Sequence, residues 1–180
     1  MKKIVISGFT TFGLLLSIST HAAWFEQNHD ADNQFFQDIE ALSETQAVAV
    51  GDDGVIMYTI DGGDTWQSAT ESTDAFLYSL EQNDGVNMFT VGENAEILKS
   101  EDGGLNWMTQ VSAATKDLYA IDTFTNKRAM AVGEDGTVVF TTNNGTVWNK
   151  STNKTNEDLL GVAYMKSTEA VVVGEFGKIM

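Results

Sequence analysis

The apolar positions of the chain return at a fixed interval of 41 residues. One column consists of valines, each followed by glycine and an acidic residue: Val50, Val91, Val132 and Val173. A second column is apolar throughout: Phe36, Leu77, Leu118 and Leu159. The register holds without a gap from residue 35 to residue 180. A fixed period in this range indicates an array of small structural units that share one folded form.

Each unit predicts four short β-strands. In the second unit these cover 76–80, 87–91 and 96–100, and a fourth begins near Trp107. Short runs of β-formers between Gly, Asp and Asn clusters are typical of strands joined by tight turns. Four strands per 40–45 residues is roughly the size of one propeller blade. We therefore predict an all-β propeller of about three and a half blades, over 35–75, 76–116, 117–157 and, incompletely, 158–180.

The most regular part of each unit is a segment that ends in tryptophan. It reads TIDGGDTW at 59–66, SEDGGLNW at 100–107 and TTNNGTVW at 141–148. An Asp or Asn side chain can accept backbone N–H groups ahead of it, glycine supplies positive φ, and tryptophan buries a large ring. A catalytic or metal-binding residue would not need three near-copies. We interpret nine residues as structural: Asp61, Gly63, Trp66, Asp102, Gly104, Trp107, Asn143, Gly145 and Trp148.

This segment resembles the Asp-box, or BNR repeat, with the pattern S/T-x-D-x-G-x-T-W. The first copy matches every specified position, whereas the second has Asn106 for Thr and the third has Asn143 for Asp and Val147 for Thr. With Val-Gly-acidic ahead of the box, the unit resembles the photosystem II stability and assembly factor family over 35–180. The resemblance implies a ring of about seven blades. It also implies a role in assembling or stabilising a membrane-associated protein complex.

The last unit stops inside its third strand. Residues 158–180 contain neither a tryptophan turn nor an outer strand. An open arc would present two unpaired sheet edges, which favours aggregation. We expect either a sequence truncated from a ring of about seven blades or missing strands supplied by another copy, and we favour truncation.

The N-terminal segment is typical of an export signal. Lys2 and Lys3 precede an apolar run over 4–18, and residues 20–22 fit a small-residue cleavage site. We predict a signal peptide over 1–22 and a periplasmic or extracellular mature protein, with an uncleaved membrane anchor as the alternative. We term the short segment over 23–34, between the signal peptide and the first blade, the lead. Its residues 24–27 resemble a fourth strand, which would complete the last blade and so close the ring.

Composition excludes several functions. The formal net charge of −16 gives a surface that repels nucleic acid and anionic lipid. The chain has no cysteine, and its two histidines are His21 in the signal and His29 in the lead, so a Ser/His/Asp triad would depend on His29 alone. The acidic stretch 28–33 lacks the glycine and terminal glutamate of a calcium loop. We expect no cofactor and no metal.

The acidic turns are the one periodic surface feature: Asp52, Glu93, Glu134 and Glu175. Equivalent turns of successive blades lie on one face, so these carboxylates should form an arc. The arc serves either turn geometry and solubility or the docking of a basic partner or cation. The resemblance favours a non-catalytic scaffold with a protein partner.

Two alternatives stay open, a glycoside hydrolase and a carbohydrate-binding module with a glycan as partner, because Asp-boxes also occur in sialidases. Sialidases hold the substrate carboxylate with three arginines, which suit bidentate recognition. The only arginine here, Arg128, argues against that type of site. No carboxylate breaks the repeat in a way that suggests a tuned general acid.

Overall fold

A computed structural model describes Gln27 and residues 34–70, 73–152 and 155–180. In these ranges every regular element is a β-strand or a three-residue 3-10 turn, and none is a helix that could cross a bilayer. The strands form four separate antiparallel sheets, three with four strands and one with three. The all-β fold of repeated four-stranded blades is thereby confirmed. The predicted signal peptide over 1–22, the acidic stretch 28–33 and the strand-like residues 24–26 lie outside the described residues.

The four sheets share one strand order, in which each strand pairs with the next along the chain. Blade 1 contains β1 (Phe36–Ala41), β2 (Ala47–Gly51), β3 (Ile56–Thr59) and β4 (Gln67–Ser68). Blade 2 contains β5 (Leu77–Gln82), β6 (Met88–Gly92), β7 (Ile97–Ser100) and β8 (Met108–Thr109). Blade 3 contains β9 (Leu118–Phe124), β10 (Arg128–Gly133), β11 (Val138–Thr141) and β12 (Trp148–Lys150). Blade 4 contains β13 (Leu159–Lys166), β14 (Glu169–Gly174) and β15 (Lys178–Ile179).

The outer strands of blades 1 to 3 are short. β4 and β8 have two residues each, and β12 has three. A short outer strand leaves few unpaired N–H and C=O groups at the edge, which limits pairing with other chains. The inner strands extend farther than the sequence predicted. In blade 2 the predicted strand ended at residue 80, whereas β5 continues to Gln82.

Neighbouring blades pack face to face through apolar side chains. Between blades 1 and 2 the buried cluster is Val48, Val50, Ile56, Leu77, Leu80, Met88, Leu98 and Trp107. Between blades 2 and 3 it is Phe89, Val91, Ile97, Leu118, Ile121, Ala129, Ala131, Val139 and Trp148. Between blades 3 and 4 it is Val132, Val138, Leu159 and Val172. Each blade therefore depends on its neighbour to bury its apolar face.

The inner strands of neighbouring blades belong to different sheets and are joined by side chains. Asp38 Oδ2 accepts a hydrogen bond from the backbone N–H of Leu80 at 2.8 Å. Asp122 Oδ2 accepts one from the N–H of Tyr164. Farther along the strands, the Thr123 hydroxyl donates to a blade 2 carbonyl at 2.7 Å. These contacts hold the four blades in one arc.

Candidate docking surface

The tryptophan-bearing turns are held by a side-chain network that repeats in three blades. In blade 1 the Thr59 hydroxyl accepts the N–H of Gly63 at 2.9 Å and donates to Asp61 Oδ1 at 2.8 Å. The Asp61 carboxylate accepts both the N–H of Thr65 at 2.9 Å and its hydroxyl at 2.7 Å. These bonds, the one from the Thr65 N–H first, lower the pKa of Asp61. The carboxylate thus serves the turn itself.

The second and third copies keep the network despite their departures from the pattern. Asp102 accepts the N–H of Asn106 at 3.0 Å and its side-chain amide at 2.7 Å, so asparagine replaces the threonine hydroxyl as donor. In blade 3, Asn143 Oδ1 accepts the N–H of Val147 at 3.0 Å. Val147 has no side-chain donor, and in this copy the Thr146 hydroxyl donates instead to the Asn143 carbonyl oxygen at 2.9 Å.

Glycine allows each turn to approach the preceding blade. Gly104 has φ +91°, and a Cβ there would lie 2.4 Å from Val48 Cγ2. Gly145 has φ +81°, and a Cβ there would lie 2.9 Å from Phe89 Cε1. Trp148 stands edge-on to Phe89, with 5.5 Å between ring centroids. The turns therefore fix the contact between blades.

The acidic turns lie at the opposite end of the blades, because β2 and β3 run antiparallel. Each is a 3-10 turn: Asp52–Gly54, Glu93–Ala95, Glu134–Gly136 and Glu175–Gly177. We use the term turn face for these four turns together with Tyr78, Tyr119 and Leu160, which lie near the starts of the inner strands.

Two carboxylates of the predicted arc bind the chain just before the inner strand of their own blade. Asp52 Oδ1 accepts the N–H of Phe35 at 2.6 Å. Glu93 Oε2 accepts the N–H of Phe76 at 3.3 Å. Both side chains are only partly exposed, so part of their hydrogen-bonding capacity goes to the fold.

The other two carboxylates of the arc differ in their surroundings. Lys116 Nζ lies 3.0 Å from Glu134 Oε1 and 2.8 Å from Asp135 Oδ2, and Asp135 and Glu134 raise the pKa of this lysine. Glu175 is exposed to solvent. Of the four carboxylates of the predicted arc, Glu175 is therefore the one that is exposed, while the other three are partly buried.

Phe176 is an exposed aromatic in a left-handed backbone conformation, with φ 52° and 91 % of its surface accessible. The same turn position in the other blades carries Asp53, Asn94 and Asp135. Asp and Asn tolerate this conformation because their short polar side chains bond locally, whereas phenylalanine gains no such compensation. Such an exposed aromatic in a strained backbone conformation makes this turn a candidate contact surface. Sequence reasoning missed it, although the break in this column is the signal that would have found it.

An aromatic ladder crosses the turn face between blades 2 and 3. The Tyr78 ring stacks on Phe76 with 4.9 Å between centroids and meets Tyr119 edge-on at 5.4 Å. Its hydroxyl donates to Glu93 Oε1 at 3.4 Å. Burial raises the pKa of Tyr78 to about 12, and the charges of Glu93 and Asp117 add to the shift. Neutral rings beside carboxylates suit a segment with both apolar and cationic groups.

A second group of carboxylates lies on the inner strands. Glu40, Glu81 and Asp122 occupy equivalent positions of β1, β5 and β9. Burial raises the pKa of Glu81 to about 7, and Glu40, Asp122 and Asp38 add to it. The sequence did not suggest a tuned carboxylate, because the shift arises only when blades stack. Among the described residues no cluster of three or more such groups could hold a metal.

The model of the family described as photosynthesis system II assembly factor YCF48 matches residues 16–117. A solved structure described as YCF48 bound to D1 peptide superposes with a TM-score of 0.65 and 22 % identity, over 79 % of this chain and 47 % of that one. YCF48 from Cyanidioschyzon merolae superposes with a TM-score of 0.62 and 19 % identity, over 79 % and 51 %. None of the curated protein sequences matches significantly.

The arc is also similar to a structure with a different function. An ancestral GH74 enzyme superposes with a TM-score of 0.58 and 9 % identity, over 81 % of this chain and 25 % of that one. At these identities the structural matches establish the propeller architecture alone. The chain spans about half the length of the YCF48 structures that it matches.

Proposed function

The chain belongs to the family of photosystem II assembly factors described as YCF48, and we propose that it serves the assembly or stability of a membrane-associated protein complex. The observation that carries the proposal is the family match over 16–117 together with the propeller arc. The YCF48 relative described as bound to D1 peptide supports a protein segment as the ligand. In this role the chain is a non-catalytic scaffold.

The turn face is the surface that best suits such a segment. Tyr78 and Tyr119 offer ring faces and edges, and Phe176 and Leu160 offer exposed apolar surface, 91 % and 55 % accessible. Glu175 adds a carboxylate open to solvent. The whole chain carries a formal charge of −16, so it attracts cationic partners over a distance. The partner segment therefore carries lysine or arginine beside apolar residues.

A scaffold role accounts for the chemistry of the described residues better than catalysis does. The described residues include neither histidine nor cysteine, so acid–base chemistry among them would rest on carboxylates, lysines or tyrosines. Glu81 has the raised pKa of a general acid, but its shift follows from burial and from equivalent carboxylates of the adjoining blades. The GH74 enzyme shares the architecture at 9 % identity, and a shared fold at this identity is no evidence for an active site in this chain.

The scaffold would act outside the cytoplasm. The two lysines and the apolar run over 4–18 support an export signal. Alkaline phosphatase fused after residue 180 should be active in intact bacteria, and deletion of 4–18 should abolish this activity. Full activity of the deletion form would contradict export.

The docking proposal is tested by capture from detergent-solubilised membranes of the source organism. The chain should retain a subunit of a membrane complex, and Glu175→Lys with Phe176→Ser should weaken retention at least tenfold. Both residues are exposed, so the double variant should keep its fold. Glu44→Lys is the matched control, because Glu44 is exposed at the other end of blade 1.

Raising the salt concentration should weaken capture of a cationic segment, because charge attraction across the interface is screened. Equal retention by wild type and the turn-face variant would rule out this surface. Hydrolysis of a glycan panel, lost on Glu81→Gln, would replace the scaffold role by an enzymatic one.

A further inference from the structure

The boundary between blades 2 and 3 contains a contact between three asparagine side chains. Asn83 and Asn87 flank the turn between β5 and β6 of blade 2, and Asn144 belongs to the tryptophan turn of blade 3. The side-chain oxygen of Asn144 accepts a hydrogen bond from Asn83 Nδ2 at 3.3 Å. Its side-chain nitrogen donates one to Asn87 Oδ1 at 3.2 Å. We term these three residues the amide clamp, because both ends of the Asn144 amide are held by the neighbouring blade.

The stacking of blades does not itself require the amide clamp. At the boundary between blades 1 and 2 the equivalent positions are Leu42, Gln46 and Gly103. Glycine has no side chain for its neighbours to hold, yet that boundary is closed, with Leu80 and Trp107 buried. The clamp is therefore an additional feature of the boundary between blades 2 and 3.

Asn144 is also followed by glycine, and this is the only Asn-Gly pair in the sequence. In such a pair the backbone nitrogen of glycine can attack the side-chain carbonyl carbon of asparagine, because glycine has no Cβ and adopts many backbone conformations. A bond forms between that nitrogen and that carbon, and the amide nitrogen leaves as ammonia with the backbone proton. Water then opens the succinimide ring, which gives aspartate or isoaspartate. Water is the only other reactant.

In the folded chain the two reacting groups are held by different partners. The N–H of Gly145 donates to Thr141 Oγ1 at 3.0 Å, and Gly145 is buried. The amide of Asn144 is held by the two asparagines of blade 2. The ring can therefore form only when the Gly145 N–H leaves Thr141 and the Asn144 amide leaves blade 2.

We propose that Asn144 is a deamidation site that the contact between blades 2 and 3 keeps closed, and that it reacts when this boundary opens. Local opening of a structure exposes groups that the folded state protects, and the rate then follows the population of the open form. The clamp makes this population small, because opening has to break both of its hydrogen bonds together with the bond to Thr141.

The product weakens the boundary that protected the asparagine. Aspartate at position 144 still accepts a hydrogen bond from Asn83, but it has no N–H for Asn87 Oδ1. Isoaspartate also redirects the main chain through the former side chain, just before Gly145. The reaction therefore runs in one direction, and each modified copy has a looser contact between blades 2 and 3.

Peptide mapping by mass spectrometry after incubation at mildly alkaline pH measures the reaction. The folded wild type should form aspartate and isoaspartate at position 144 about tenfold or more slowly than the same chain in urea, because only the open form reacts. Asn83→Ala with Asn87→Ala should speed the reaction in the folded chain several-fold, and Asn87→Ala alone should have an intermediate effect. Far-UV circular dichroism checks that these variants keep the sheet. Asn149→Ala is the control and should leave the rate unchanged, because Asn149 is exposed on β12.

A further variant separates opening of this boundary from unfolding of the whole chain. Gly104→Ala disturbs the contact between blades 1 and 2 at Val48 and keeps the amide clamp, so it should speed deamidation less than the double variant does. An equal acceleration by Gly104→Ala would overturn the proposal, as would equal rates in the folded and unfolded wild type or clamp variants that react at the wild-type rate.

The effect of the product is measured with a variant that carries it from the start. Asn144→Asp should melt at a lower temperature than the wild type. Asn149→Asp is the matched control, since it adds the same charge at an exposed position and should leave the melting temperature unchanged. Equal melting temperatures for Asn144→Asp and Asn149→Asp would contradict a loosened boundary.

Discussion

At the scale of single residues, one hydroxyl organises each tryptophan turn. Ser100 in blade 2 is fully buried, and its Oγ accepts the N–H of Gly104 at 2.9 Å and donates to Asp102 Oδ1 at 2.9 Å. Threonine takes this place in blades 1 and 3. The position therefore needs a hydroxyl and not a particular side-chain volume.

Removing this hydroxyl should destabilise the fold. Ser100→Ala leaves the N–H of Gly104 without its partner, and an unsatisfied buried donor costs about 1–3 kcal/mol. Ser100→Thr should retain most of the stability, because Thr59 and Thr141 fill the same role. Urea unfolding followed by tryptophan fluorescence measures both variants. Equal midpoints for wild type and Ser100→Ala would contradict the role of the hydroxyl.

Two adjacent glycines of the same turn should respond differently to alanine. Both have positive φ, +76° at Gly103 and +91° at Gly104. A Cβ on Gly103 would meet only Leu42 Cδ1 at 3.8 Å, whereas a Cβ on Gly104 would lie 2.4 Å from Val48 Cγ2. Gly104→Ala should therefore cost about 1–3 kcal/mol more than Gly103→Ala.

A second substitution shows where the extra cost comes from. Val48→Ala removes the methyl groups that alanine at position 104 would meet, so the two changes together should cost less than their sum. The free energies of unfolding of the two single variants and the double variant form a double-mutant cycle. If the two losses simply add, the contact between the blades is not the cause of the extra cost at position 104.

At the scale of elements, the inner strands bring like charges together. Glu40, Glu81 and Asp122 come from β1, β5 and β9, and they are neighbours only because these strands stack around the arc. Backbone contacts such as Asp38 to Leu80 fix this arrangement. The strands therefore hold Glu81 where its ionisation is unfavourable.

The free energy of unfolding should fall as the pH rises from about 5 to about 8. Burial first, and then Glu40, Asp122 and Asp38, raise the pKa of Glu81 from 4.5 to about 7. Between these values the folded chain keeps a proton that the unfolded chain has lost, so each rise in pH favours unfolding. The loss should be on the order of 1 kcal/mol between about pH 5 and pH 8, because Glu81 is partly solvated.

Glu81→Gln should remove most of this pH dependence, since glutamine stays neutral. Melting temperatures across the range measure it, with Glu44→Gln as an exposed control on another loop. The aspartates with lowered pKa, such as Asp102, lose their stabilising charge only at more acidic pH. A wild-type melting temperature that rises from about pH 5 to pH 8 would contradict the assignment.

At the scale of the whole molecule, the arc has two kinds of blade. Among the described residues, blades 2 and 3 each pack between two blades, whereas blades 1 and 4 each pack against one. Stability in repeat proteins is carried by contacts between neighbouring units, so the ends open more readily than the middle.

Amide hydrogen exchange should report this difference. The amides of β6 and β10 should exchange slowest, those of β2 faster, and those of β14 fastest, because β14 has only the short β15 as its second partner. Mass spectrometry of peptides resolves these strands. Uniform protection across the four blades would contradict unequal blades.

The blade and its turns follow from the order of the amino acids. These features depend on short-range chemistry: alternating apolar residues, turn glycines, and a side chain such as Asp61 that bonds to residues four positions ahead. The 41-residue period then placed the same unit in each blade, and the family resemblance rested on the same residues.

Which surfaces are exposed and which side chains have a shifted pKa depends on how the blades pack in the tertiary structure. The apolar pattern is the same in all blades, yet Trp107 is buried and Trp66 is partly exposed, because Trp107 packs into the cluster between blades 1 and 2. The raised pKa of Glu81 and the ladder from Tyr78 to Tyr119 likewise need side chains from different blades. Such properties belong to pairs of residues far apart in sequence, and no local pattern encodes the distance between them.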